Sequence, residues 1–226
     1  YMREFNLLRD YPKPKETRKV NKNLRNIQSR ITASYRDREF YDGNRNNGYG
    51  GFKYDGRWKI IVKQICKEYN LNNKSSFLQI GCEKGFLLHD LKFFLPKAEV
   101  RGIEKSLYAI KNSMETVKNY INNSDYTKLE FPDNKFDFIL AIGVIYSLTL
   151  EDAIKCLKEI QRAGKGNSFI TLASYKNEKD YWLFKDWTIL GSLILRENEW
   201  KEILKHCKYT GDYHFTNAEK LNLTRS

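Results

Sequence analysis

The segment from residue 76 to residue 104 constrains the fold more than any other part of the chain. Residues 77–80 form an apolar run typical of a buried strand, and residues 86–95 have the spacing of an amphipathic helix. Gly81 and Gly85 bracket the reversal between them, and glycine permits positive φ and close approach of a ligand to the main chain. The start of the helix offers unpaired N–H groups to carboxylate or phosphate groups. The sequence therefore predicts a ligand-binding turn.

An acidic residue completes this pattern. Residues 100–103 are typical of a second strand, and Glu104 follows at its end, roughly 20 residues after the turn. A carboxylate in this position can accept hydrogen bonds from both ribose hydroxyls of a nucleoside. A nucleoside cofactor is therefore our leading hypothesis. A dinucleotide is the less favoured alternative, because Gly81 and Gly85 do not form the G-x-G-x-x-G triplet that a pyrophosphate requires.

These residues resemble motif I and the following acidic motif of class I S-adenosylmethionine-dependent methyltransferases, usually written D/E-x-G-x-G-x-G with an acidic residue after the second strand. Residues 125–141 resemble the same family's D-A…L-P-F-P-D-x-S-F-D-x-V segment. Two positions depart from the pattern, since Gln79 replaces the first acidic residue and Glu83 replaces the middle glycine. Gln79 can still bond the methionyl amino group through its amide oxygen, but it brings no charge. We expect the Glu83 carboxylate to point away from the cofactor carboxylate.

The resemblance implies a doubly wound, Rossmann-like α/β fold with a mostly parallel seven-stranded sheet, an antiparallel C-terminal strand and helices on both faces. It implies methyl transfer from S-adenosylmethionine, with S-adenosylhomocysteine as product. Gly81 and Gly85 would approach the methionyl part, Glu104 would bind the ribose, and Asp125 with the Tyr126 backbone would bind the adenine edge. The full set of residues that the resemblance assigns to the cofactor is Gln79, Gly81, Cys82, Gly85, Glu104, Lys105, Asp125, Tyr126 and Ile142.

The acceptor is expected to be an oxygen or nitrogen atom of a small polar metabolite, such as a sugar. Residues 41–58 resemble the stretch before motif I in a bacterial subgroup of the family whose substrate is unsettled, and we expect them to act as a lid together with the insertion that begins at Tyr175. An acceptor with a high pKa needs a base, and His214, beside Asp212 on the terminal strand, is the best of the three histidines. Tyr49 and Tyr146 are candidates for aligning the acceptor.

The charge of the chain leaves a second function open. The formal net charge is +12, and residues 1–40 contain 11 Lys or Arg against 5 Asp or Glu, a balance of 11 − 5 = +6. This basic arm could serve a methyltransferase that acts on RNA or another macromolecule. General lysine enrichment is the simpler explanation of the charge. A catalytically silent cofactor-binding domain is a further alternative.

Between residues 16 and 35 the apolar positions recur at helical spacing, which predicts an amphipathic helix in the arm. Its apolar side would pack on the protein's own core or on a second copy of the chain. Elsewhere the spacing predicts the elements listed here: helices over 57–70 and 197–206 and from residue 149, and strands over 119–123, 136–142, 168–173 and 209–215.

Length and composition suit one α/β domain, since 226 residues with 41% hydrophobic side chains can bury a substantial core. We expect a basic arm with a lid-like loop over 1–56 and the methyltransferase domain over 57–226, with an aromatic insertion near 175–196. No apolar run approaches the ~20 residues of a membrane span, and the first residues lack a secretory apolar region, so we expect a cytoplasmic protein. The four cysteines are scattered, and we expect neither a metal site nor a disulfide.

Overall fold

The computed structural model describes residues 2–13 and 16–226, so residues 1, 14 and 15 of the predicted arm lie outside the described residues. The strands are β1 (Arg3–Glu4), β2 (Arg18–Val20), β3 (Ser76–Ile80), β4 (Glu99–Glu104), β5 (Ile121–Asn123), β6 (Phe138–Ala141), β7 (Ser168–Ala173), β8 (Asp212–Thr216) and β9 (Leu223–Arg225). The α-helices are α1 (Ile27–Ser34), α2 (Arg38–Tyr41), α3 (Lys59–Glu68), α4 (Phe86–Phe94), α5 (Leu107–Lys111), α6 (Leu150–Ala163), α7 (Glu178–Trp187) and α8 (Glu197–His206).

Seven strands form one sheet in the order β1-β8-β7-β6-β3-β4-β5, and every neighbouring pair in it is parallel. The chain builds outward from β3 to β5, then returns to the other side of β3 with β6. The carboxyl ends of β3 and β6 therefore flank the point where the strand order reverses. Open α/β sheets bind ligands in the crevice at this point. The predicted Rossmann-like fold is confirmed.

One detail of the predicted sheet is wrong, because its C-terminal strand is not antiparallel. Thr171 of β7 pairs with His214 of β8 in a parallel register. The reason is the connection between the two strands. Helix α8 lies between β7 and β8 and returns the chain to the end of the sheet where β7 begins, so β8 runs in the same direction as β7, as in any βαβ unit. The seventh strand of the sheet is β1. It comes from the amino-terminal segment and pairs with β8.

Both faces of the sheet are covered. Along β3, Leu78 and Ile80 belong to a cluster that includes Trp200 of α8, whereas Phe77 packs with Ile61 of α3 on the other face. This alternation follows from the two-residue period of a strand. Burial on both faces explains why the central strands are nearly continuous apolar runs. Their carboxyl ends are thereby held in fixed relative positions, which a ligand site requires.

The structure confirms the predicted strands over 168–173 and near 121–123, and the helix over 197–206. The single helix predicted over 16–35 is wrong. Residues 18–20 instead form β2, which pairs with β9 in a separate two-stranded parallel sheet, and the helix begins only at Ile27, capped by Asn26. Of the predicted apolar side, Leu24, Ile27 and Ile31 are 49%, 72% and 44% exposed and do not pack on the core, whereas Val20 is buried. Within the described ranges, no helix has the length and apolar character needed to cross a membrane.

Candidate active site

The turn after β3 is built from three residues with positive φ. The φ angles are 68° at Gly81, 53° at Glu83 and 72° at Gly85. A Cβ atom on Gly81 would lie 2.6 Å from Cγ2 of Val144, so glycine is required there by space as well as by conformation. Glu83 has the left-handed backbone conformation that glycine adopts without strain. For a residue with a side chain this conformation costs about 1–2 kcal/mol. The main chain of the turn thus has the shape predicted from its glycines.

Glu104 lies at the carboxyl end of β4 with no exposed surface. Its Oε2 accepts a hydrogen bond from the backbone N–H of Glu83 at 2.9 Å, and its Oε1 accepts one from the N–H of Ser106 at 2.8 Å. The carboxylate therefore joins the glycine turn to the start of α5. Each oxygen has a further lone pair, so ribose hydroxyls can still bond to it.

Two buried polar atoms near this turn lack hydrogen-bond partners among the described residues. They are Oε1 of Gln79, in β3, and the hydroxyl of Tyr41, in α2. Tyr41 has no exposed surface, and burial, together with the charges of Glu83 and Glu104, raises the pKa of its hydroxyl. Buried polar groups are nearly always hydrogen-bonded, so these two atoms are available to a polar ligand. The residues present therefore fit a ligand with amino, carboxylate and hydroxyl groups, as S-adenosylmethionine has.

Residues 36–54, which we call the lid, are fastened to the turn by a buried ion pair. Nζ of Lys84 donates to Oδ2 of Asp42 at 2.6 Å and to the carbonyl oxygen of Phe52 at 3.0 Å. Asp42 also accepts from the hydroxyl of Tyr108 at 2.7 Å and from the N–H of Phe52 at 2.9 Å. These hydrogen bonds connect the lid to the glycine turn after β3, which we call the cofactor turn.

Aromatic rings of the lid pack together and onto α4. The ring of Phe52 lies 4.3 Å from that of Tyr49 and stacks on Phe86 at 4.8 Å between centroids. Tyr41 stacks on Tyr49 at 5.9 Å. Such contacts contribute about 0.5–1.5 kcal/mol each beyond area burial. The glycine- and tyrosine-rich segment is accordingly an ordered wall of the site.

Glu83 and Tyr49 form a direct hydrogen bond within this wall. The hydroxyl of Tyr49 donates to Oε1 of Glu83 at 2.5 Å. Burial of the Glu83 carboxyl raises its pKa to about 7, with the nearby Glu104 charge adding to the effect, while the Tyr49 hydrogen bond and Arg36 oppose it. Burial and the charge of Glu83 together raise the pKa of Tyr146 to about 12. Two predicted acceptor-aligning residues thus share one neighbour, Glu83.

Glu83 was not predicted as a functional side chain. The only sequence signal was its place in the turn, where the family pattern has glycine. Its partner Tyr49 lies 34 positions earlier in the chain, so no local pattern joins the two residues.

His214 lies on β8, which is separated from β6 by β7, whereas Tyr146 follows β6 directly. Burial is the main cause that lowers the pKa of His214 to about 4, with Lys220 adding to the effect and Glu4 opposing it. Its imidazole is therefore neutral at pH 7 and a weaker base than the Glu83 carboxylate. The structure does not group His214 with Tyr49 and Tyr146, and its role as a base stays a prediction.

The residues assigned to adenine lie beyond β5. Asp125 is exposed and forms an ion pair with Nζ of Lys105 at 3.2 Å. Tyr126 is 1% exposed, and its hydroxyl accepts from the N–H of Lys105 at 3.2 Å. A cavity of about 460 Å³ adjoins them, lined by Lys105, Asn123, Ser124, Asp125, Lys128 and Glu130. This end of the site offers polar groups to a base edge.

The remaining two predicted cofactor residues differ in what they can offer. Cys82 is 3% exposed, and its Sγ lies 2.6 Å from where a Cβ on Gly102 would be, so the side chain packs into the sheet. Its N–H donates to the carbonyl oxygen of Ile103 at 3.2 Å and its carbonyl oxygen accepts from the N–H of Gly85 at 2.8 Å, so only the second lone pair of that carbonyl oxygen is left for a ligand. Ile142 is partly buried directly after β6, at the edge where the turn of β3 also lies.

Residues 78–172 match the model of a family described as a methyltransferase domain. The chain is 27% identical over 122 residues to an uncharacterized methyltransferase of Schizosaccharomyces pombe, covering 47% of this chain and 43% of that protein. It is 33% identical over 116 residues to the tRNA U34 carboxymethyltransferase of Nautilia profundicola, covering 47% of this chain and 37% of that enzyme. The chain thus spans only 37–43% of the length of these curated relatives.

Among solved structures, the YcgJ protein of Bacillus subtilis shares the fold with a TM-score of 0.54 at 16% identity, covering 65% of this chain and 66% of that one. The segment matched by the family contains the glycine turn, Glu104 and Asp125. With the parallel sheet around it, this segment gives residues 78–172 the features of a methyltransferase domain.

Proposed function

We propose that the protein transfers a methyl group to an oxygen or nitrogen atom of a small polar metabolite, such as a sugar. The observation that carries this proposal is the lid, which the buried Lys84–Asp42 pair holds against the cofactor turn. Tyr41 of the lid is fully buried there. A site covered in this way suits an acceptor that fits under the lid better than a polymer that must lie across the site.

The protein's own contribution would be positioning. S-adenosylmethionine supplies a methyl group on a sulfonium, which is reactive without further activation. Glu104 would hold the ribose, and the turn at Gly81 and Gly85 would hold the methionyl part. Tyr49 and Tyr146 would align the acceptor, while the lid excludes water. Tyr49 is 39% exposed, so its ring can be reached from solvent.

The second candidate is an RNA methyltransferase that uses the basic arm. It is favoured by the relative that is a tRNA U34 carboxymethyltransferase and by the net charge of +12. Several arm cations, however, are already bound within the protein. Arg30 donates to the carbonyl oxygens of Lys185 and Thr188 at 2.7 and 2.8 Å, and Arg3 pairs with Asp212 at 2.7 Å. These guanidinium groups serve the fold, and we therefore rank the RNA proposal second.

Transfer of a labelled methyl group from S-adenosylmethionine tests these proposals. The purified protein is incubated with two fractions of a cell extract, one of small metabolites and one of total RNA. We expect label in the metabolite fraction. Label confined to RNA, with binding that weakens steeply as salt rises, would overturn the small-molecule proposal in favour of the second candidate.

A matched variant separates catalysis from adventitious labelling. Tyr49→Phe removes the hydroxyl that meets Glu83 and leaves the ring that packs on Phe52. We expect lower transfer and a loss of stability of no more than about 1–3 kcal/mol, because the Glu83 carboxyl loses one hydrogen-bond donor. A protein that binds S-adenosylhomocysteine but labels neither fraction would instead support a catalytically silent binding domain.

A further inference from the structure

We infer that Glu83 is the carboxylate that binds the α-ammonium group of the cofactor's methionyl part. The inference rests on the cofactor site alone and holds for either acceptor class. It assigns a binding role to the residue that replaces the middle glycine of the turn.

The first observation is the distribution of charged groups at the turn. S-adenosylmethionine brings an ammonium group into a covered site, and a buried cation requires an anion or several oriented dipoles. Gln79 offers only a neutral amide oxygen. Glu104 accepts from the N–H groups of Glu83 and Ser106 at the end of β4, and the lone pairs that remain on its two oxygens are assigned to the ribose hydroxyls. Glu83 is the remaining carboxyl group on the turn itself, which runs from residue 81 to residue 85.

The placement of the Glu83 side chain carries the second step. Its backbone has φ = 53°, a conformation that costs energy for every residue except glycine. The Glu83 carboxyl accepts from the Tyr49 hydroxyl at 2.5 Å, which fixes its position beside the turn. Strain that is retained in a binding turn is expected where the side chain has a function.

The groups around Glu83 decide how its charge responds to a ligand. The titratable and charged groups that influence it, or that it influences, are Tyr41 and Tyr49 of the lid, Arg36 before α2, Cys82 and Lys84 in the turn, Glu104 of β4 and Tyr146 after β6. Lys84 is already paired with Asp42, and Arg36 donates to Ser147 at 3.4 Å. Neither cation bonds directly to the Glu83 carboxyl.

A proton should therefore leave when the cofactor binds. In the free protein, burial and the Glu104 charge raise the Glu83 pKa to about 7, so a large share of the carboxyl is protonated at neutral pH. An ammonium at hydrogen-bond distance favours the ionised form. Affinity should accordingly rise with pH from about 6 to about 8, and binding near pH 7 should release about half a proton per site.

The test compares two ligands that differ in the group concerned. S-adenosylhomocysteine carries the ammonium but no sulfonium, and 5′-methylthioadenosine lacks the whole amino-acid part. Both are titrated by calorimetry into the wild type, Glu83→Gln and Glu83→Gly. We expect both variants to bind S-adenosylhomocysteine at least about tenfold more weakly, because a charge-assisted hydrogen bond is lost. Their affinity for 5′-methylthioadenosine should stay unchanged.

The wild type alone provides a measurement that needs no folded variant. Titration in buffers of different ionisation enthalpy should report proton release with S-adenosylhomocysteine and none with 5′-methylthioadenosine. Equal proton release with both ligands, or unchanged S-adenosylhomocysteine affinity in Glu83→Gln, would overturn the inference. Loss of methyl transfer in Glu83→Gln with full affinity would do so too, since it would make Glu83 a base for the acceptor. None of these affinities depends on the acceptor, so the function proposed above can fail separately.

Discussion

The ammonium group of Lys84 lies 2.6 Å from the carboxylate of Asp42, and the lysine side chain is only 8% exposed. Lys84 belongs to the glycine turn after β3 and Asp42 to the lid, so this ion pair joins the predicted cofactor site to the lid. Removing one partner of such a pair leaves an uncompensated buried charge, which costs more than the pair contributes. The pair therefore offers a direct way to open the lid.

We predict that Asp42→Asn lowers the free energy of unfolding by about 2–4 kcal/mol, because the Lys84 ammonium loses its counter-charge. S-adenosylhomocysteine affinity should fall as well, since the lid is no longer fastened. Chemical denaturation and calorimetry measure the two effects. Asp55→Asn is the control, because its pair with Arg57 is about half exposed and should contribute less than about 1 kcal/mol. Equal losses of stability and affinity in both variants would argue against the role of the Asp42–Lys84 pair in holding the lid.

Glu104→Ala should weaken S-adenosylhomocysteine binding at least about tenfold, because the carboxylate that would accept ribose hydrogen bonds is gone. The N–H groups of Glu83 and Ser106 would also lose their acceptor, so some stability should be lost. Glu104→Gln keeps one acceptor oxygen and should show a smaller loss of affinity. A folded Glu104→Ala protein with wild-type affinity would refute the ribose assignment.

The central part of the fold could be predicted because its signals are local. A strand, a glycine turn and a helix follow one another over residues 76–94, and each has its own residue pattern. Glu104 was found in the same way, as an acidic residue at a strand end. Parallel sheets surrounded by helices leave little choice about where such ends meet.

The amino-terminal segment could not be predicted in the same way. Residues 18–20 pair with residues 223–225, some 200 positions away, and no local pattern reports that contact. Apolar spacing alone favoured a helix, although Asn26 places its start later. The lid contacts Tyr49–Glu83 and Asp42–Lys84 are likewise long-range. They depend on the packing of the segment over the sheet.

The raised pKa of Glu83 predicts a pH dependence of stability in the free protein. Its carboxyl binds a proton more tightly when folded, with a pKa of about 7 against 4.5 for the ordinary group. This contribution is fully present below about pH 4.5 and is lost as pH rises toward 7, by no more than about 3 kcal/mol. His214 has the opposite effect on stability. Burial lowers its folded pKa to about 4 from the ordinary value of 6.5, so its contribution to the free energy of unfolding increases as pH rises between these two values.

The difference in unfolding free energy between wild type and Glu83→Gln isolates the Glu83 contribution, because His214 is present in both proteins. As pH rises from roughly 4.5 to 7, we expect the wild type to lose stability relative to Glu83→Gln. Denaturant titrations at several pH values measure it. A constant difference over this range would mean that the Glu83 carboxyl titrates normally.

Arg30 provides a test of the assignment of arm cations to the fold. Its guanidinium group donates to the carbonyl oxygens of Lys185, Thr188 and Ile189 at and beyond the end of α7. Arg30→Ala should therefore cost about 1–3 kcal/mol of stability, because those carbonyl groups lose a charged donor. Lys22→Ala removes an exposed arm cation and should change stability by less than about 0.5 kcal/mol. If thermal denaturation instead showed equal, small effects, and only RNA binding responded to both changes, the arm would be a nucleic-acid surface rather than a structural one.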